Sequence, residues 1–254
     1  MTGCRSAKGR WEAIADSIQN RPHERPNTTI AGDTMNTTID FKNNDDLVFF
    51  GRVNASISHE LKNILAIISE AAGLLQDLTE MATKGQKIEL EMLTTCSADI
   101  VEEIQRGFKT IRQMNIFSHS VDAPIQSVNL VEVIDLMIHL AGFLSFASKV
   151  RFDAPPDGGS TVSTCPFRLE NLVYQALVFA FKSAGSDGEI QVELHPQKNG
   201  SARIVFSGLG PGDELRFPTE ELKAIATSIG AQIYMAEDSR AIDILVTPFG
   251  EHSG

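Results

Sequence analysis

Ser58-His59-Glu60-Leu61-Lys62-Asn63 is the stretch on which the reading of this chain turns. It lies inside a run whose apolar side chains recur at steps of three and four: Phe50, Val53, Ile57, Leu61, Ile64, Ile68, Ala71, Leu75 and Leu78. That spacing predicts a helix with one apolar stripe, packed in a bundle or coiled coil. At about 100° per residue, His59 falls about 160° to 200° from Ile57 and Leu61. The imidazole is therefore expected in solvent, partway along a stiff helix, on the same face as Asn63, Ala66 and Glu70. An exposed histidine is ordinarily just surface. Here Glu60 can accept the proton on one ring nitrogen and fix the tautomer, leaving the other to attack phosphorus. Asn63, one turn on, can orient a water or a phosphoryl oxygen. A helical zinc-protease motif would need a second histidine at the position of Asn63, so no metal site is expected there.

The polar segment Ala82-Thr83-Lys84-Gly85-Gln86-Lys87 breaks the helix. A second helix is predicted from about Ile88 to Phe117, striped by Leu93, Cys96, Ile100, Ile104, Phe108 and Ile111. A lone hairpin covers two such stripes poorly, which points to a dimeric four-helix bundle. A polar linker follows (His119 to Gln126), then an apolar helix from Val128 to Phe146 and a turn-rich stretch. Beyond it the expected order is strand (near Val162), helix (Pro166 to Ala184), strand (Glu189 to His195), strand (Ala202 to Ser207), helix (Thr219 to Ile229), strand (Gln232 to Ala236) and strand (Ala241 to Val246). This predicts an α+β chain whose second half is an α/β sandwich with a mixed sheet. The expected domains are a helical hairpin over residues 43–120 and an α/β domain over 127–250. Residues 1–42 are polar and expected to be largely disordered, with one helical turn near Trp11.

Composition narrows the functions. The 254-residue chain carries a formal net charge of −11, which argues against nucleic-acid binding but suits a protein partner with a basic docking face. No apolar run reaches the roughly 18 residues needed to span a bilayer, and no apolar leader opens the chain, so a cytoplasmic protein is expected. Cys4, Cys96 and Cys165 are odd in number and far apart, as expected of unpaired thiols in a reducing compartment.

The box Ser58 to Asn63 resembles the Ser-His-Glu-Leu-(Arg/Lys)-(Thr/Asn) box of two-component sensor histidine kinases. Pattern for pattern the likeness runs from about Phe49 to Phe249, with Ile64 standing where many members have proline. The resemblance implies that His59 is phosphorylated, that Glu60 is the general base, and that Asn63 is linked to dephosphorylation of the partner. It implies a second half of the kinase ATPase type, and there the pattern departs. Asn171-Leu172-Val173-Tyr174-Gln175-Ala176 has Gln175 in place of the family's second, magnesium-side asparagine. The longer side chain misplaces an oxygen that magnesium needs in near-octahedral geometry. Val178 takes the place of a basic residue. In Gly208-Leu209-Gly210-Pro211-Gly212, Gly208 stands where the family's adenine-reading aspartate belongs, and no glycine marks a second box near Arg216 and Pro218. A degenerate ATPase-type domain with no nucleotide or metal of its own is expected.

The likeness is nearest to dimeric histidine phosphotransferases of phosphorelays. It implies that His59 moves phosphate to or from the aspartate of a response-regulator receiver, whose own pocket supplies Mg2+, in a chain fed by an upstream hybrid kinase. Two other readings stand beside it: an active sensor kinase or receiver phosphatase that still binds ATP, and a non-catalytic pseudokinase scaffold that asks nothing of His59.

Overall fold

A computed structural model describes residues 44–142, 149–155, 159–185, 188–210, 217–236 and 240–248. The N-terminal segment, with the turn expected near Trp11, lies outside them, as do Gly212 and Arg216.

Two long helices open the described chain, α1 (Asn44–Thr83) and α2 (Leu90–His119). Asp45 and Asp46 occupy the first turn of α1, where the helix dipole favours acids. Gly85, at φ +80, takes the left-handed conformation that ends the helix and starts the return. The inner face of α1 follows the stripe read from the sequence: Val53, Ile57, Ile64 and Leu78 are buried and Leu61 is partly covered. On α2 the inner face is Cys96, Thr110 and Phe117. Phe108 and Ile111, expected on that face, are instead 62% and 41% exposed. The polar Thr110 fits inside because its hydroxyl donates to the Arg106 carbonyl at 3.0 Å, so its burial leaves nothing unpaired.

The second half begins with β1 (Gln126–Asn129) and α3 (Leu130–Gly142), where a single helix from Val128 to Phe146 was expected. The Asn129 side chain explains the switch: its Oδ1 accepts from the Val131 backbone N–H at 3.0 Å, starting the helix after a short strand. Then come β2 (Lys149–Phe152), β3 (Thr161–Thr164), α4 (Pro166–Ala184), β4 (Glu189–Pro196), β5 (Ala202–Ser207), α5 (Glu220–Ser228), β6 (Ala231–Met235) and β7 (Ala241–Val246). Pro166 begins α4, where a missing N–H costs nothing, and Gly185 follows its end. β1 and β3 form a two-stranded antiparallel sheet, and the other five strands take the order β2-β4-β5-β7-β6, with only β2 and β4 parallel. The register stacks Val192, Phe206 and Ile242 in one row and Ile204, Ile244 and Ile233 in the next. These side chains are buried, together with Leu169, Leu172, Val173 and Leu177 of α4. The architecture is thus a helical hairpin followed by an α/β sandwich with a mixed sheet. Among the described residues no helix is long and apolar enough to cross a membrane.

Aromatic rings join the two halves. Phe49 of α1 meets Phe117 of α2 edge-on at 5.5 Å between centroids, Phe167 of α4 at 5.3 Å and Tyr174 of α4 at 5.2 Å. Phe50 stacks on Phe117 at 5.5 Å. Glu170 sits at the same junction, 3% exposed, with Oε2 lacking any hydrogen-bond partner. Burial pushes its carboxyl up to about 8, against the opposing effect of a Ser120 hydrogen bond. The neutral acid is therefore the form the fold favours. The folded protein holds a proton that the unfolded chain releases above about 4.5, so this group's stabilising contribution is full below that pH and is lost as pH rises through about 8. Urea unfolding between pH 5 and 9 should show stability falling by up to about 1.4 kcal/mol per pH unit up to about 8. Glu170→Gln should flatten that slope. An unchanged slope in the variant would assign the pH dependence elsewhere.

Candidate functional site

His59 stands on the solvent face of α1, one turn below Asn63, as its helical position requires. Asn63 Nδ2 lies 3.3 Å from His59 Nδ1. Which ring nitrogen carries the proton depends on how the amide is turned. With the amide nitrogen toward the ring, Nδ1 accepts and Nε2 carries the proton. With the amide turned over, Asn63 Oδ1 accepts from Nδ1–H and Nε2 presents a free lone pair to solvent. The second arrangement makes a nucleophile of the nitrogen that no side chain occupies.

Glu60 is placed differently from the pairing expected beside His59. Its side chain turns toward the hairpin interior and is only 8% exposed, where Arg106 Nη2 of α2 donates to Oε1 in a short contact. The same guanidinium spans Glu103 through Nη1 at 3.2 Å to Oε1 and 3.3 Å to Oε2. Burial works to lower the Arg106 pKa, and the Glu60 and Glu103 carboxylates outweigh it and hold the group above its ordinary value. Glu60 therefore pins the two helices in register, and Asn63 holds the His59 ring. The sequence carried a signal for this: Val53, Ile57, Glu60 and Ile64 keep steps of four, three and four, so a charge occupies the inner stripe and demands a countercharge opposite. His139 of α3 comes to the same cluster. Its imidazole pKa is lowered by burial first and then by Lys109, with Asp135 and Glu60 pulling the other way.

The region where the resemblance places nucleotide is a cleft of about 380 Å3 between the start of α1 and helices α4 and α5. Its residues do not make up a magnesium–triphosphate set. Asn171 is 1% exposed and its Oδ1 accepts from Gln175 Nε2 at 3.3 Å, so the two amides are hydrogen-bonded to each other. Gly208 adopts φ +87, and a Cβ there would lie 2.2 Å from the Glu189 carbonyl oxygen, so an aspartate cannot stand at that position. A Cβ on Gly210 would come 2.4 Å from the Ser183 carbonyl oxygen, to which the Gly210 N–H donates at 3.2 Å. These glycines let the chain after β5 pass close to the Glu189 and Ser183 carbonyls.

No protein-family model and no curated protein matches the sequence. Solved structures do. The Acinetobacter baumannii histidine kinase AdeS is similar at 10% identity and a TM-score of 0.41, over 70% of this chain and 94% of that one. The ATP binding domain of PrrB from Mycobacterium tuberculosis is similar at 19% identity and 0.41, over 50% of this chain and 98% of that one. A bacterial phosphotransferase is similar at 10% identity and 0.46, over 78% of this chain and 95% of that one. Residue roles in this chain rest on its own geometry.

A double-mutant cycle on Glu60 and Arg106 tests the register lock. Arg106→Ala leaves a buried carboxylate unpaired and should cost about 1–3 kcal/mol in urea unfolding, discounted for the partial exposure of the guanidinium. The pair with Glu60→Gln should show a coupling of about 1 kcal/mol or more. Zero coupling would mean the contact does not hold the hairpin.

Proposed function

We propose that this protein is a histidine phosphotransferase of a two-component phosphorelay, carrying phosphate on His59 between receiver domains of response regulators. The observation that carries the reading is the water-facing His59, its Nδ1 held by Asn63 and its other ring nitrogen free, on a helix braced by the Glu60–Arg106 lock. In the forward step the unprotonated ring nitrogen attacks the phosphorus of an aspartyl phosphate on the receiver. An N–P bond forms, the acyl P–O bond breaks, and the aspartate leaves as its carboxylate. With the Asn63 amide turned so that Oδ1 faces the ring, the proton on Nδ1 stays there and Oδ1 accepts its hydrogen bond as the ring gains positive character. Transfer to a second receiver is the reverse of the same step. Both phosphorylated species are high in energy, so no ATP enters, and Mg2+ belongs to the receiver's acidic pocket.

The hairpin works as half of a homodimeric four-helix bundle. Its support is the second apolar stripe: Ile67, Leu74 and Met81 of α1, and Val101 and Phe108 of α2, are exposed at seven-residue steps. Such a repeat is the seam of helix-on-helix packing, and the single hairpin leaves it uncovered. A second copy would bury it and leave the imidazole free on the outside of the bundle. Traffic with receivers and an upstream hybrid kinase would put the protein in the cytoplasm.

The test is phosphoryl transfer from a receiver domain labelled with 32P on its aspartate. The wild-type chain should take up label within minutes, and His59→Ala should take up none. Mg-ATP labelled on its γ-phosphate, offered alone, should leave the wild type unlabelled. Label from ATP alone would mean an autokinase, and receiver binding with identical behaviour of wild type and His59→Ala would mean a scaffold.

A further inference from the structure

The cleft between the start of α1 and helices α4 and α5 is walled by both halves of the molecule. Its floor is apolar. Phe179 and Phe217 stack at 4.3 Å between centroids and 24° between planes, with Val178, Leu222 and Ile225 beside them. Arg52 of α1 and Lys182 of α4 line the same space. Neither cation has an ion-pair partner among the described residues.

Two carboxylates also line the cleft, and both are occupied by helix starts. Asp45 lies in the first turn of α1, where the dipole holds it. Glu221 lies in the first turn of α5, where its own backbone N–H and then the Thr219 side chain hydrogen-bond to it and lower its pKa. Among the described lining residues the two carboxylates are thus engaged at helix starts, which leaves Arg52 and Lys182 as the charged groups open to a ligand. The amides of Asn171 and Gln175 complete the wall. An apolar floor with a few placed polar groups, at a volume of about 380 Å3, has the build of a small-molecule site.

We propose that this cleft binds a small aromatic acid without a metal: a flat apolar ring system seated against Phe179 and Phe217, with one anionic head between Arg52 and Lys182. The aromatic body follows from the stacked rings, whose edges and faces favour another ring over an aliphatic chain. The single anionic group follows from the two open cations. A nucleoside triphosphate is disfavoured because its metal and adenine contacts are missing from Gly208 and Gln175. A ligand here touches the hairpin and the α/β domain at once, so occupancy braces their junction. The site is separate from His59 and stands or falls independently of phosphoryl transfer.

The probe is 8-anilinonaphthalene-1-sulfonate, an aromatic acid whose fluorescence rises on leaving water, titrated into the full-length protein. One saturable site per chain is expected. Val178→Trp, which fills the cleft, should abolish it, and Arg52→Glu with Lys182→Glu should weaken it by about tenfold or more. His59→Ala should bind the probe like the wild type, as should Leu65→Ser, which removes an apolar side chain exposed elsewhere on α1. Circular dichroism confirms folding, and if Val178→Trp does not fold, the charge-reversal pair decides. Three results would overturn the proposal: no saturable binding, binding that survives charge reversal, or displacement by ATP only when Mg2+ is present. The last would restore the cleft to nucleotide use.

Discussion

The ring of Phe49 touches Phe117, Phe167 and Tyr174 at once, and that one buried contact ties the first turns of α1, the last turns of α2 and the first turns of α4 into a single core. Phe49, Phe117, Phe167 and Tyr174 are each at most 1% exposed. Truncating one such ring costs about 3–5 kcal/mol, a large share of a domain's whole stability. The two halves are therefore not beads on a flexible string. The α/β sandwich is welded to the base of the hairpin, and the buried Glu170 and Asp46 lie in the same joint. Burial raises the pKa of both carboxyls, and Arg168 offsets part of the effect at Asp46.

The weld gives the other features a common logic. An enzyme that carried ATP to its own histidine would need its nucleotide domain to travel along the hairpin to that side chain. Here the domain is held by rings that would have to be exposed to water before it could move, and Gln175 is hydrogen-bonded to Asn171. Beside that domain the His59 face of the hairpin stays exposed. The Glu60–Arg106–Glu103 cluster then keeps α1 and α2 from sliding, so the imidazole is presented at constant height. Asn63 Nδ2 lies 3.3 Å from the Nδ1 of that ring.

Much of this was legible in the residues. The stripe of α1 was readable because its steps of three and four hold from Val53 to Leu78. The bounds of α4 were readable because proline opens it and glycine follows it. The bounds of β5 and β7 were readable from alternation between turn residues. Four-residue strands such as β1 and β2 are too short to show a period, and the apolar run after Val128 hid a strand within a helical pattern. Phe108 and Ile111 were assigned inward because α2 is apolar on two faces, and periodicity alone cannot say which face meets the partner helix. The place of Glu60 on the inner stripe was legible, but its partner was not. Its countercharge lies 46 residues away, and no local pattern reports a long-range pair.

The central claim is that the α/β domain is fixed to the hairpin base, and its most direct test is a distance measurement in solution. Spin labels on the exposed side of α1 at Ala66 and on β6 at Tyr234, with labelled chains diluted in unlabelled ones, report the separation of the halves by double electron–electron resonance. The account predicts one narrow distance distribution, unchanged by a phosphorylated receiver or by Mg-ATP, and broadened in Phe49→Ala. A broad or two-peaked distribution in the wild type, or a shift on adding Mg-ATP, would contradict it.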